Sequence, residues 1–148
     1  MKKFLRLTCI VLSISLCMVL PASAETNTNA RASDFFHQIS TYIHMLNDTQ
    51  FEVWFDVSAV GTMQEIGASK ITVQRSADGE TWQNMFTYRA EYYPQMIDYN
   101  TFEHGSCIPY HGTLGYYYRG FVTFYAKSSK GTGEMYRYTN TVYLQPSN

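Results

Sequence analysis

At 148 residues and a formal net charge of −1, the chain is long enough for one domain of ordinary size, and two full domains do not fit. Three of its 11 basic residues, Lys2, Lys3 and Arg6, lie in a 24-residue opening stretch without any acid, so the remainder sets eight bases against 12 acids and carries −4. That balance rules against nucleic acid or another polyanion as the main partner, and 45% hydrophobic against 16% charged residues rules out intrinsic disorder.

The opening stretch reads as an export signal. Residues 1–6 are short and basic, residues 7–20 are nearly all apolar, and Pro21-Ala22-Ser23-Ala24 supplies a helix break followed by small residues, which predicts cleavage after Ala24. The apolar run is about 14 residues where about 20 are needed to span a bilayer, so no transmembrane segment is expected after cleavage. Cys17 follows Leu16 inside that run, a poor context for lipid anchoring. The product is expected to be secreted, with Cys107 as its one cysteine and no internal disulfide. Its stability must come from its core.

Residues 25–33 are polar and aperiodic, a flexible lead-in to a β domain over 34–146. In residues 34–46, Phe35, Phe36, Ile39, Ile43 and Leu46 fit a helical stripe, while Phe35, Ile39, Ile43 and Met45 fit one face of a long strand. Strand is the reading taken, because everything after it is β. Residues 51–57 alternate cleanly, with Phe51, Val53, Phe55 and Val57 on one side and Glu52, Trp54 and Asp56 on the other. A loop through Gly61 and Gly67 is expected next, then Ile71 and Val73 alternating with Lys70, Thr72 and Gln74. Asp78-Gly79 predicts a hairpin turn leading to Trp82 and Phe86, since both turn residues tolerate positive φ. Residues 91–105, with Pro94 and no clear period, read as a long crossover; short strand character returns at 107–110.

Residues 116–127 give the clearest alternation. Tyr118, Val122 and Phe124 claim the interior, which turns Tyr117, Arg119, Phe121 and Tyr125 outward. A polar turn at 128–133 leads to the last strand, where Tyr136, Tyr138, Val142 and Leu144 alternate with Met135, Arg137, Thr139, Thr141 and Tyr143. About seven strands with regular turns and no strong helix predict an all-β, two-sheet sandwich.

The pattern resembles a fibronectin type III or related immunoglobulin-like domain, through Trp54, the hairpin Ile71-Thr-Val-Gln-Arg-Ser-Ala-Asp-Gly-Glu-Thr-Trp82, and Gly115-Tyr-Tyr-Tyr-Arg-Gly-Phe-Val-Thr-Phe-Tyr-Ala126. The whole chain also resembles a family of small secreted bacterial proteins of unknown function, through Gly61-Thr-Met-Gln-Glu-Ile-Gly-Ala68 and the same 115–126 segment. The first resemblance implies an immunoglobulin-like sandwich; neither implies an activity.

Catalytic chemistry has few footholds. His104-Gly-Ser-Cys107-Ile-Pro-Tyr-His111 gathers two imidazoles and the one thiol, and its Gly-Ser-Cys run resembles the nucleophile segment of L,D-transpeptidases without the rest of that motif. A cell-wall-type enzyme using a Cys/His pair is therefore the alternative reading, with a semi-buried structural cysteine preferred. His37 and His44 would have to reach across the fold to complete a metal site, and no cofactor is expected. Ser76-Ala-Asp78-Gly79-Glu-Thr-Trp82 looks like the Asp-box hairpin of sialidases one residue short, a structural turn even there. The preferred function is a non-catalytic binding or structural domain for a cell-surface glycan or a protein partner. Its expected site is the outward face bearing Tyr117, Arg119, Phe121, Tyr125, Arg137 and Tyr143, since Tyr and Arg bring apolar area with polar tips.

Overall fold

A computed structural model describes residues 31–147; the expected signal and most of the lead-in lie outside them. The described chain is all-β. Its strands are β1 (Phe36–Met45), β2 (Gln50–Ser76), β3 (Gln83–Arg89), β4 (Ile97–His111), β5 (Tyr117–Ser128), β6 (Gly131–Tyr138) and β7 (Val142–Tyr143), with single 3-10 turns at Ala32–Asp34 and Pro94–Met96. The ambiguous segment is a strand because β2 offers it a ladder along its whole length, from Phe36 opposite Ala59 to Met45 opposite Phe51. Pairing buries Phe36, Ile39 and Ile43 on the inner side, whereas Met45 and Leu46 stay exposed.

The expected loop through Gly61 and Gly67 does not form. Residues 50–76 are one continuous strand of 27 residues, and every other strand except β6 and β7 is hydrogen-bonded directly to it. On one side β2 pairs with β1 and then β5; on the other it pairs with β4 and then β3, all antiparallel. The glycines mark bends within the strand. Gly61 sits at φ +122° where the β2–β4 register slips between Ser58 and Met63, and Gly67 sits at φ +154° against the turn that opens β4. A strand this long can stay buried only if the sheet curls, and the bends supply the curl.

All seven strands form a single sheet, curled as a half-barrel, where two separate sheets were expected; the long strand β2 runs through both halves of it. Its two halves face each other closely: a Cβ on Gly120 would lie 2.8 Å from Val53 Cγ1, and Phe55 meets Phe124 edge-on at 6.4 Å. The expected core residues Val53, Phe55, Ile71, Val73, Tyr118, Val122 and Phe124 are all buried, joined by Phe51, Ile66, Met96 and Ile108. Each large apolar side chain removed from water there contributes about 1.5–3 kcal/mol. The open edge of β1 meets β6 and the link that follows it through side chains instead of a ladder: Arg137 Nη1 on β6 donates to the Ile39 carbonyl at 3.1 Å, and Ile43 N–H donates to Oδ1 of Asn140 in the link at 2.7 Å.

Two further expectations are corrected. Most of the supposed crossover is β4, which runs from Ile97 through His111; its alternation is hidden because the strand is largely exposed and changes register near Asn100, whose φ is +55°. The last strand is two. At Thr139 the ladder breaks, with Gly120 N–H donating to Thr139 Oγ1 at 2.8 Å and Thr139 N–H donating to the Gly120 carbonyl at 2.9 Å. That break resets the alternation between β6 and β7.

Candidate functional site

Strand β5 is hydrogen-bonded on both sides, to β2 and to β6 and β7, so its side chains have only an inner and an outer face to occupy. Tyr118, Val122 and Phe124 take the inner one and leave Tyr117, Arg119, Phe121 and Tyr125 outside. Directly opposed residues share a face, and β6 places Tyr138 opposite Phe121 and Tyr136 opposite Thr123. Both tyrosines are therefore outward, at 49% and 67% exposure, contrary to the alternation read across an unbroken final strand. Tyr143 stands opposite Tyr117, with ring centroids 4.7 Å apart.

Arg137 does not join this face. It stands opposite inward-facing Val122 and reaches the β1 edge, where it lines the seam with Phe36 and Ile39. Sequence reading also missed Trp82, Gln74 and Asn84. Trp82 lies just before β3, yet its ring covers the Arg119 guanidinium at 4.1 Å while Tyr138 covers it at 4.2 Å from a neighbouring strand. The stack continues from Tyr138 to Phe121 at 4.7 Å and from Phe121 to Tyr136 at 6.0 Å. Across the strands, Arg119 Nε donates to Gln74 Oε1 and Gln74 Nε2 donates to Asn84 Oδ1, each at 2.8 Å. Only the strand register brings these residues together; their spacing in sequence gives no sign of it.

The hairpin loop at 77–82 fixes Trp82. Ser76 Oγ accepts from Gly79 N–H at 2.9 Å, and Asp78 Oδ1 accepts from Glu80 N–H at 2.9 Å and Thr81 N–H at 2.8 Å. Hydrogen bonding to Ser76, then to Thr81 and Glu80, holds the Asp78 carboxyl far below its ordinary value. A depressed carboxylate favours the folded state above its unfolded pKa and loses that contribution as pH falls. Asp78→Asn is therefore expected to be less stable than the parent near pH 7. The gap should narrow as pH drops below about 4, as read by urea unfolding at a series of pH values.

Tyr125 belongs to the outer face but lies at its far end, in an open hollow of about 390 Å³ with Tyr99, Glu65 and Glu134. Burial, with Glu65 next, raises its phenol above the ordinary value, and Glu65 holds Lys127 at 2.8 Å. A second aromatic group lies between the free edges of β3 and β4, where Phe86, Tyr88, Tyr93 and Tyr110 line a groove of about 450 Å³. Burial pushes Tyr88 up to about 12, with Tyr93 and Tyr110 adding to the shift, and its hydroxyl donates to the Pro109 carbonyl at 3.1 Å.

The thiol and the imidazoles of β4 are not brought together. Cys107 stands opposite Trp54 on the outer side, while His104 stands opposite Val57 on the inner side, its ring edge-on to Phe55 at 5.6 Å. His111 shares the side of Cys107 but is four residues away, about 13 Å along a strand, and bonds to Gln50. Burial, and after it Glu52, raises the Cys107 pKa, the direction opposite to thiolate activation. His37 lines the β1–β6 seam and His44 is exposed on β1.

No family model matches the chain, and no curated protein matches it. Among solved structures, a family 76 glycoside hydrolase from a bovine Bacteroides thetaiotaomicron strain is similar over 74% of this chain and 20% of its own, at 11% identity and a TM-score of 0.32. This chain thus spans about a fifth of that protein, and the likeness is too shallow to carry an argument about fold or activity.

Proposed function

We propose that the chain is an exported, non-catalytic binding domain that offers the outer face of β5 and β6 to a glycan. The observation that carries this is the unbroken row Trp82, Arg119, Tyr138, Phe121 and Tyr136 on a solvent-facing part of the sheet. Flat aromatic rings with polar tips suit the apolar faces and hydroxyls of sugar rings. On β5 itself a peptide gains less, because that strand is hydrogen-bonded on both sides and has no free main-chain groups to pair with. The immunoglobulin-like sandwich belongs to the same proposal, supported by the face-to-face packing of the two halves of the curled sheet. The Cys/His enzyme is disfavoured, since Cys107 and His104 point to opposite sides of β4.

The test is a glycan array probed with the purified protein, beside the double variant Tyr136→Ala, Tyr138→Ala. Binding to at least one glycan, weakened about tenfold or more by the double variant at nearly unchanged melting temperature, is the expected result. Glycan binding indifferent to the double variant would place the site elsewhere. An array without any binder would overturn the glycan reading.

A further inference from the structure

On the aromatic row Arg119 differs from its neighbours in carrying a full charge with nothing to neutralise it. Among the described residues the ion pairs are Lys127 with Glu65 and His104 with Asp98, and Arg119 has no carboxylate partner. Its guanidinium is nonetheless held in place. It lies over the rings of both Trp82 and Tyr138, at 4.1 Å and 4.2 Å, and Gln74, itself bonded to Asn84, takes the Nε hydrogen. The terminal nitrogens Nη1 and Nη2 have no hydrogen-bond partner among the described residues. A guanidinium fixed in this way, with the edge formed by its terminal nitrogens unused, matches the two oxygens of a carboxylate.

We propose, building on the glycan reading above, that Arg119 selects a glycan carrying an isolated carboxylate, a single uronate unit among neutral sugars. The carboxylate takes the Nη1 and Nη2 hydrogens, and the neighbouring sugar rings lie on Tyr138, Phe121 and Tyr136. The ordering cost of the arginine side chain has largely been met before the ligand arrives, because two rings and Gln74 already hold it. The excess of acidic residues in the remainder of the chain opposes a run of uronates, so the complementary ligand has one acid in a neutral setting.

The experiment is calorimetric titration of the full protein with a panel of neutral oligosaccharides each bearing one uronate, and with the methyl ester of each, which keeps the sugar and removes the charge. The expected result is at least one acid bound about tenfold or more tighter than its ester, a preference that shrinks in high salt. Arg119→Gln should bring acid and ester to equal affinity. Arg119→Lys, which keeps the charge and the ring contacts without the fork, should retain only a small part of the preference and guards against a folding defect in the first variant. If acid and ester bind equally to the parent protein, the carboxylate proposal falls while the glycan reading stands. A preference that survives in both variants would also overturn it. If no saccharide in either form binds, both readings fall together; Arg119-dependent binding of a glutamate-rich peptide would then give the face to a protein partner.

Discussion

Replacing Phe124 with alanine should cost about 3–5 kcal/mol of folding stability, a large part of the roughly 5–15 kcal/mol that holds a domain of this kind together. Phe124 is fully buried, edge-on to Phe55 from the facing half of the sheet, and stands between Ala68 on β2 and Met135 on β6. Ala68 is too small to fill the vacated volume, so the cavity term adds to the lost transfer energy. Urea unfolding should show a lower midpoint at nearly constant slope. A cost under about 1 kcal/mol would mean that the two halves of the sheet do not meet at this ring.

Gly67→Ala is expected to cost about 3 kcal/mol or more, although it adds only one methyl group. The backbone there sits at φ +154°, and a Cβ would run into the Met96 carbonyl oxygen, a main-chain atom in the turn that opens β4. Met96 is itself fully buried and has no room to retreat. Gly61→Ala is the matched control. Its φ of +122° carries strain, but no atom lies within 4 Å of the added methyl, so the smaller loss of about 1–2 kcal/mol is expected. Thermal melts of the two variants decide it: equal losses would show that the β4 turn yields freely.

The parts of this fold that were legible in sequence are those where one side of a strand is buried and the other is wet. Phe51 to Val57 and Tyr118 to Phe124 alternate for that reason, and their inner members are all in the core. Alternation fails to mark β4 because its side chains are largely exposed, and it fails at the glycines because a bend inside a paired strand looks, residue by residue, like a loop. The outer face was half legible. Tyr117, Arg119, Phe121 and Tyr125 followed from parity within β5, whereas Arg137 was misplaced and Tyr136 and Tyr138 were missed because the register of β6 against β5 is a tertiary fact. Trp82 sits over Arg119 through a loop held by Ser76 and Asp78. Its sequence signal was a turn, not an address.

Strand β2 also governs when this chain can fold. Its first half finds β1 across a short turn, but its second half pairs with β5, so that Glu65 must wait for Lys127 and Ser76 for Tyr117. Closing such distant pairs costs entropy before any stability returns, which places folding in the slow, millisecond-to-second range of non-local β topologies. During synthesis the β1–β2 hairpin emerges with an apolar inner face and nothing to cover it. The core closes only once β5 and β6 have joined it, so the hairpin must keep that apolar face out of wrong pairings until residues 117–138 arrive.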